Sequence, residues 1–428
     1  ADKKGKISRT FAITSLQSKK QISASGNTIT MTGQPVLHKE NGLKFAQQVK
    51  VLNKGGHSEV VGNKKIRVKD ADEVILLMSA ATNYQQSMDE KFDYFSDEDP
   101  LTTVKQTLMA AESKTYEDLL SSHKKDYKAL YDRMSLNLGN ITGMPTKTTD
   151  ILLKDFYKGN TVEENLYTEM LYYQFGRYLL IASSRENSLP ANLQGVWGER
   201  LSNPWNADYH TNINVQMNYW PAESANLSEC HLPFLQYIAV EALKENGSWQ
   251  QLAREEQLRG WAIKTQSNIF GYTDWNINRP ANAWYCMHLW KHYAYTLDME
   301  YLNKVAFPVM RSACEYWFDR LQKDTEGKWI APDEWSPEQG PWEDGLAYAQ
   351  QLIWQLFSET IQATEVLQKQ NITIDSEFIT ELKDKFNHLD NGVNIGSWGQ
   401  IKEWKEDKDQ LDVFGNEHRH LSQLIALY

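Results

Sequence analysis

The sequence predicts a multidomain protein of α and β structure. An antiparallel β-sandwich-like domain at residues 1–92 leads through a helical linker at 93–145 to a mostly helical domain at 146–428. Three observations predict this: apolar alternation between turn signals before residue 90, a switch to helical period after Pro100, and long helices alternating with polar, aromatic-rich loops from about residue 150.

Strands are expected at Lys6–Ile13, Gln21–Ser25, Lys44–Leu52, Lys65–Val68 and Glu73–Met78, with turns at Ser25-Gly-Asn and Lys54-Gly-Gly-His. In the linker, Val104, Leu108 and Ala111 recur at helical spacing, as do Tyr116, Leu119 and Leu120, then Tyr127, Leu130 and Tyr131. The Gly- and Thr-rich stretch from Gly139 reads as a loop. Helices are expected at Glu164–Ser184, Phe234–Asn246, Ala283–Leu297, Val305–Leu321, Gly345–Gln368 and Ser376–Leu389, an alternation that suits a bundle or toroid carrying its function on loops at one end.

Composition narrows the function. With 41% hydrophobic residues, the 428-residue chain can bury a large core. A net charge of −11, spread without a basic block, argues against a nucleic-acid partner. No apolar run approaches the roughly 20 residues of a spanning helix, and residues 1–20 lack a signal pattern, so an exported precursor is expected to have lost its leader. Cys230, Cys286 and Cys314 are too few and too scattered for a disulfide framework and are expected to be free and buried. No dinucleotide fingerprint, Walker loop or nucleophile elbow is present.

Chemistry concentrates in two loops. Leu189-Pro-Ala-Asn-Leu-Gln-Gly, followed by the run from Asn203 to Glu223, mixes amides, indoles and imidazole. Amides can bond sugar hydroxyls and indole faces can cover the C–H side of a ring. His210, Trp205 and Trp220 are the substrate-binding candidates here. Asn212 and Asn214 lie two apart, so an extended backbone would point both amides the same way, toward a hydroxyl or a water. An amide cannot keep a proton, so a carboxylate must stand behind them. In the second loop, Glu338 is flanked by Pro337 and bounded by Trp335 and Trp342, a setting that disfavours the ionised form and suits a general acid. Asp333, Glu334, Glu343 and Asp344 compete with it, and helix capping is the structural alternative. His418, Arg419 and His420 suit hydroxyl recognition better than a metal, and His288 and His292 lack the glutamate of a zinc-protease helix and read as surface or core residues. No metal or cofactor is expected.

These motifs, with Gly42-Leu-Lys-Phe-Ala, Ala80-Ala-Thr-Asn-Tyr, the run from Leu119 to Leu136, Ser336-Pro-Glu and His418-Arg-His-Leu-Ser, resemble glycoside hydrolase family 95, the α-L-fucosidases acting on terminal α-1,2-linked fucose. The resemblance implies a partial N-terminal β domain, an incomplete (α/α)6 barrel, no cofactor, a fucosylated oligosaccharide as substrate and an extracytoplasmic location. It also implies hydrolysis with inversion, in which Glu338 resembles the acid and Asn212 and Asn214 the pair holding the water. The family's base-activating aspartate would lie beyond Tyr428, so the chain is expected to be part of a longer protein. Ala349, where many members have Asp, and Gln423, where many have His, depart from the pattern. His210 resembles the fucose-associated variant, threonine being usual in members tuned to L-galactose. An α-L-galactosidase and a catalytically impaired carbohydrate-binding homologue are the alternative readings.

Overall fold

The computed structural model describes residues 3–35, 42–87, 94–139, 141–408 and 420–427. They fall into two compact units, one drawn from residues 1–87, 91–129 and 199–203, the other from 88–90, 130–198 and 204–428.

The first unit is built on seven antiparallel strands: β1 (Ile7–Ala12), β2 (Lys20–Ser25), β3 (Thr28–Gly33), β4 (Phe45–Lys54), β5 (His57–Val61), β6 (Lys65–Ala71) and β7 (Glu73–Thr82). They form one sheet of order β1-β6-β5 and another of order β2-β3-β4-β7. Ile29, Val51, Ile66 and Val68, alternate residues of strands from both sheets, are fully buried together, so strand period becomes a core between sheets. The helix Pro100–Glu112 starts on Asp99, whose carboxylate accepts from Leu101 N at 3.0 Å, with Pro100 where no amide donor is needed. Its Val104 and Leu108 pack on Ala46 of β4 and on Leu77 and Ala81 of β7.

Two strands were not expected. β5 is exposed along four of its five residues, and an edge strand without an apolar face gives no hydrophobic signal. β3, with Ile29 and Met31 alternating with threonines, pairs in register with β2 from Ser25↔Thr28 to Lys20↔Gly33, and this short alternation was absorbed into the adjacent turn.

The second unit is helical. Its helices Val162–Ser183, Leu232–Leu243, Ala281–Thr296, Phe307–Arg320, Ala347–Lys369 and Ser376–Asn387 match the expected six within a few residues at each end. The first carries a capping box between Thr161 and Glu164. Ala347–Lys369 packs against Ala281–Thr296, Phe307–Arg320 and Ser376–Asn387. Trp249, Trp261, Trp284 and Trp317 are fully buried, with Trp249 and Trp261 stacked at 5.2 Å, so much of the tryptophan excess is core. The three cysteines are free and buried. No helix among the described residues is long and apolar enough to cross a membrane.

Candidate active site

A small sheet sets the first wall of the site. Strand β8 (Tyr209–His210) pairs with β9 (Lys264–Ser267), which pairs with β10 (Thr273–Ile277). The register places His210 directly opposite Gln266, and cross-strand partners lie side by side on one face. Thr211 then turns the chain: its N–H donates to Thr265 O at 2.8 Å, and its hydroxyl donates to Lys264 O and accepts from Asn278 Nδ2, both at 3.0 Å. The preceding loop is strained, since Trp205, Asn206 and Ala207 are all left-handed, with φ of 48°, 58° and 55°. That loop leaves Trp205 66% exposed, an unusual state for an indole outside a binding surface.

Asn212 and Asn214 do not share an extended segment. Asn212 sits in a turn and Asn214 opens the short helix Asn214–Tyr219, so the two-residue spacing does not align their amides by strand pleat. The reason is tertiary: Thr211 ends its pairing with β9, and Met217 N bonds back to Ile213 O at 2.8 Å, which starts a helical turn. Tyr219, at the end of that helix, accepts from Ala191 N at 2.8 Å and ties it to the Leu189–Gly195 motif.

The second wall is the loop 333–345. Glu334–Trp335 pairs with Trp342–Glu343 as a minimal hairpin, with the two indoles stacked at 6.0 Å and Trp275 meeting Trp335 edge-on. Behind it, Glu334 is 1% exposed and accepts from Arg320 Nε at 3.0 Å, with Arg279 Nη1 at 3.8 Å. Burial pushes Glu334 up to about 7 against the downward pull of Arg279 and Arg320. Arg320 also donates to Pro332 O at 2.6 Å, and Arg279 to Asp333 O at 3.2 Å. Of the competing carboxylates, Glu334 is therefore committed to its arginines, Asp344 accepts from Asp333 N, and Glu343 is bonded by Lys408.

Between the walls lies a cavity of about 560 Å³ lined by Trp205, His210, Asn214, Gln266, Trp275, Glu338 and His420, together with Leu193, Ile213 and Met217. Glu338 is half-buried, and its Oε1 accepts from Asn212 Nδ2 at 2.9 Å. Asn212 Oδ1 and His210 Nε2 are buried without a hydrogen-bond partner among the described residues, which leaves polar capacity beside Glu338 for a ligand or water to satisfy. Burial lowers the pKa of His210, although the nearby Glu338 pulls it upward. Asp208, next to β8, is raised to about 6 by burial, with the neighbouring charge of Asp274 adding to the rise.

The structure thus brings Glu338, Asn214, His210, Trp205 and His420 to one cavity, with Asn212 bonded to Glu338. Trp220 stands apart from them: with Asn212, Trp284, Tyr348 and His420 it lines an adjoining cavity of about 270 Å³. His418 and Arg419 lie outside the described residues. Gln266 and Trp275 were missed, because a lone Gln in a polar strand and a lone Trp carry no local signal.

A second polar cluster was also missed. Glu223 Oε1 accepts from His231 Nδ1 at 2.8 Å and His292 Nδ1 at 2.7 Å, its other oxygen accepts from the Ser228 hydroxyl, and His231 Nε2 meets His288 Nδ1 at 3.0 Å. All four ionisable side chains are buried. Burial alone would raise Glu223, but the bonds from His231, His292 and Ser228 overcome it and hold the carboxyl at about 2. His288 and His292 are therefore core residues tied to an acid 69 positions from His292. The donor atoms of Glu223, His231 and His292 lie within 4.8 Å of one another and are of a type that binds divalent ions. Their 2.7–2.8 Å contacts are nonetheless those of hydrogen bonds, below the ~3.3 Å that separates ligands around a tetrahedral zinc.

A carboxyl group bonded to an amide lies on the wall of a cavity that two indoles line, and amides with indole faces suit the hydroxyls and the C–H side of a sugar. In fold, the chain superposes with a TM-score of 0.58 at 10% identity on a chain described as a candidate kojibiose phosphorylase from the human microbiome, covering 87% of this chain and 46% of that one. The profile of the glycosyl hydrolase family 95 catalytic domain matches residues 115–428, and that of the glycosyl hydrolase family 65 N-terminal domain matches residues 1–87. The chain belongs to glycoside hydrolase family 95. Among curated relatives, "Probable alpha-fucosidase A" of Aspergillus niger is 34% identical over 95% of this chain and 52% of its own length. "Alpha-L-fucosidase 2" of Arabidopsis thaliana is 30% identical over 90% and 46%. The chain spans about half the length of the curated relatives it matches.

Proposed function

We propose that the chain is the acid-bearing part of an inverting exo-glycosidase that removes terminal α-1,2-linked L-fucose from oligosaccharides. The observation that carries this reading is the 2.9 Å bond from Asn212 to Glu338 on the edge of a cavity that also holds Asn214, His210 and two indoles. Relatives named as α-fucosidases support the sugar.

In this reading Glu338, with Oε1 engaged by Asn212, carries its proton on Oε2 and delivers it to the glycosidic oxygen. Asn214 and the unpartnered Oδ1 of Asn212 hold a water for attack on the opposite face of the sugar. That water must surrender its proton to a second carboxylate. Glu338 is the one carboxylate lining the cavity among the described residues, and the resemblance puts the partner aspartate C-terminal to the His418–Ser422 motif. Trp205 and Trp275 offer faces for the C–H side of a sugar, and the apolar part of His210 fills the space that a C6 hydroxyl would need. In the same reading His418, Arg419 and His420 recognise sugar hydroxyls, and Trp220, which lines the adjoining cavity together with His420, contributes to substrate binding.

The same reading takes the helical unit as part of an (α/α)6 barrel over 146–428, the linker as 93–145, the β domain as 1–92 and the location as extracytoplasmic. An α-L-galactosidase would share everything except the His210 preference, which favours fucose. The experiment that tests the proposal is NMR of the first sugar released from 2′-fucosyllactose by the full-length protein. β-L-fucose as the initial anomer supports it, whereas α-L-fucose or no release overturns it.

A further inference from the structure

The loop bearing Glu338 is held by a carboxylate that the proposed chemistry does not use. Glu403 is 4% exposed, and its side chain accepts from the Ser336 hydroxyl through one oxygen and from Gln339 Nε2 through the other at 2.7 Å. Its backbone carbonyl accepts from Ala347 N at 3.1 Å, at the start of the helix that follows the loop. Ser336 and Gln339 bracket Pro337 and Glu338, and Gln339 N closes the turn on Ser336 O at 2.9 Å. The next residue, Gly340, lies against the Trp404 indole, where a Cβ would meet Cζ2 at 2.3 Å. Ser422 Oγ donates to Pro337 O at 3.1 Å from another side.

We infer that Glu403 is a positioning residue: its carboxylate clamps both ends of the Ser336–Gln339 turn and so aims Glu338 at Asn212. The inference rests on the proposed role of Glu338. Glu403 is not itself an acid or base for the substrate, because it is buried, spoken for by two donors and absent from the cavity wall. A carboxylate presents acceptors to the Gln339 amide nitrogen and to the Ser336 hydroxyl at once, and an apolar side chain would present neither.

The test compares loss of the clamp with its conservative replacement in the full-length protein. E403L leaves the Gln339 amide and the Ser336 hydroxyl without an acceptor, whereas E403Q can accept from Gln339 through its oxygen and donate to Ser336 Oγ through its NH2. E403L is expected to lower kcat on 2′-fucosyllactose about 10- to 100-fold with KM nearly unchanged, and to spare fucosyl fluoride, whose departure needs little proton assistance. E403Q is expected to recover most of the loss. Hydrogen exchange of the 336–340 amides should rise in E403L and fall back in E403Q while the remaining helices keep their protection. Equal loss on both substrates, absence of recovery, or unchanged exchange at 336–340 overturns the inference. If the wild type hydrolyses neither substrate, the glycosidase reading fails on its own, and the exchange arm still decides whether Glu403 holds the loop.

Discussion

Asn212 donates to Glu338 across 126 positions of sequence, joining the amide motif to the acid loop at 2.9 Å. Neither segment makes a site alone: the first supplies the amides, the second the carboxyl group. The contact exists because β8 and β9 fix the approach of Asn212 from one side, while Glu334 and Glu403 fix the approach of Glu338 from the other.

Glu338→Gln keeps the Asn212 contact sterically and removes the proton. Hydrolysis of 2′-fucosyllactose is expected to fall by roughly 10²- to 10⁴-fold, the usual worth of a general acid, with much less effect on fucosyl fluoride. Initial-rate assays on the two substrates check it, and a parallel loss on both would contradict the acid role.

His210→Thr opens space beside Gln266 in the cavity wall. The ratio of L-galactoside to L-fucoside hydrolysis is expected to rise about 10-fold or more, in the range that one small group in a pocket commands. Competition between matched nitrophenyl glycosides measures this, and an unchanged ratio removes His210 from specificity.

Glu223→Gln leaves His231 and His292 without their charged acceptor. A buried hydrogen bond to a charged acceptor contributes about 1.5–3 kcal/mol, so a clear drop in urea midpoint is expected. The pH dependence has a definite sign. Glu223 sits at about 2 in the folded protein against 4.5 ordinarily, so its stabilisation is complete above about pH 4.5 and is lost as pH falls toward 2. Urea titrations between pH 2 and 6 should therefore show a shallower acid loss in E223Q than in the wild type.

Gly340→Ala places a methyl group 2.3 Å from the Trp404 ring at a residue with φ of +71°. Loss of about 1–3 kcal/mol is expected from overpacking and left-handed strain together. Activity should fall further than stability accounts for, because the displaced turn carries Glu338. Paired unfolding and rate measurements separate the two effects.

The helices were legible because their apolar residues recur at helical spacing, as in Ala347–Lys369, and the buried strands because Ile66 and Val68 alternate with polar neighbours. β5 was not, since an edge strand facing water has no apolar stripe. Glu338, Asn214 and His210 were legible because each sits in a dense motif of amides, prolines or indoles. The geometry joining them was not: the turn after Thr211 depends on bonds to Thr265 and Asn278, 54 or more residues away, and overrides the extended reading of Asn212 and Asn214. Glu403 and the Glu223–His231–His292 cluster were hidden for the same reason, since their partners meet only after helices from separate stretches have packed.

The pairing of His210 with Gln266 also bears on how this site can change through descent. Two side chains held shoulder to shoulder by β8 and β9 share one small volume, so a replacement at either alters the room available to the other. Shifts of sugar preference among relatives are therefore expected to be recorded as paired replacements at these two positions, and a library varying both together should reach new substrates that single changes miss.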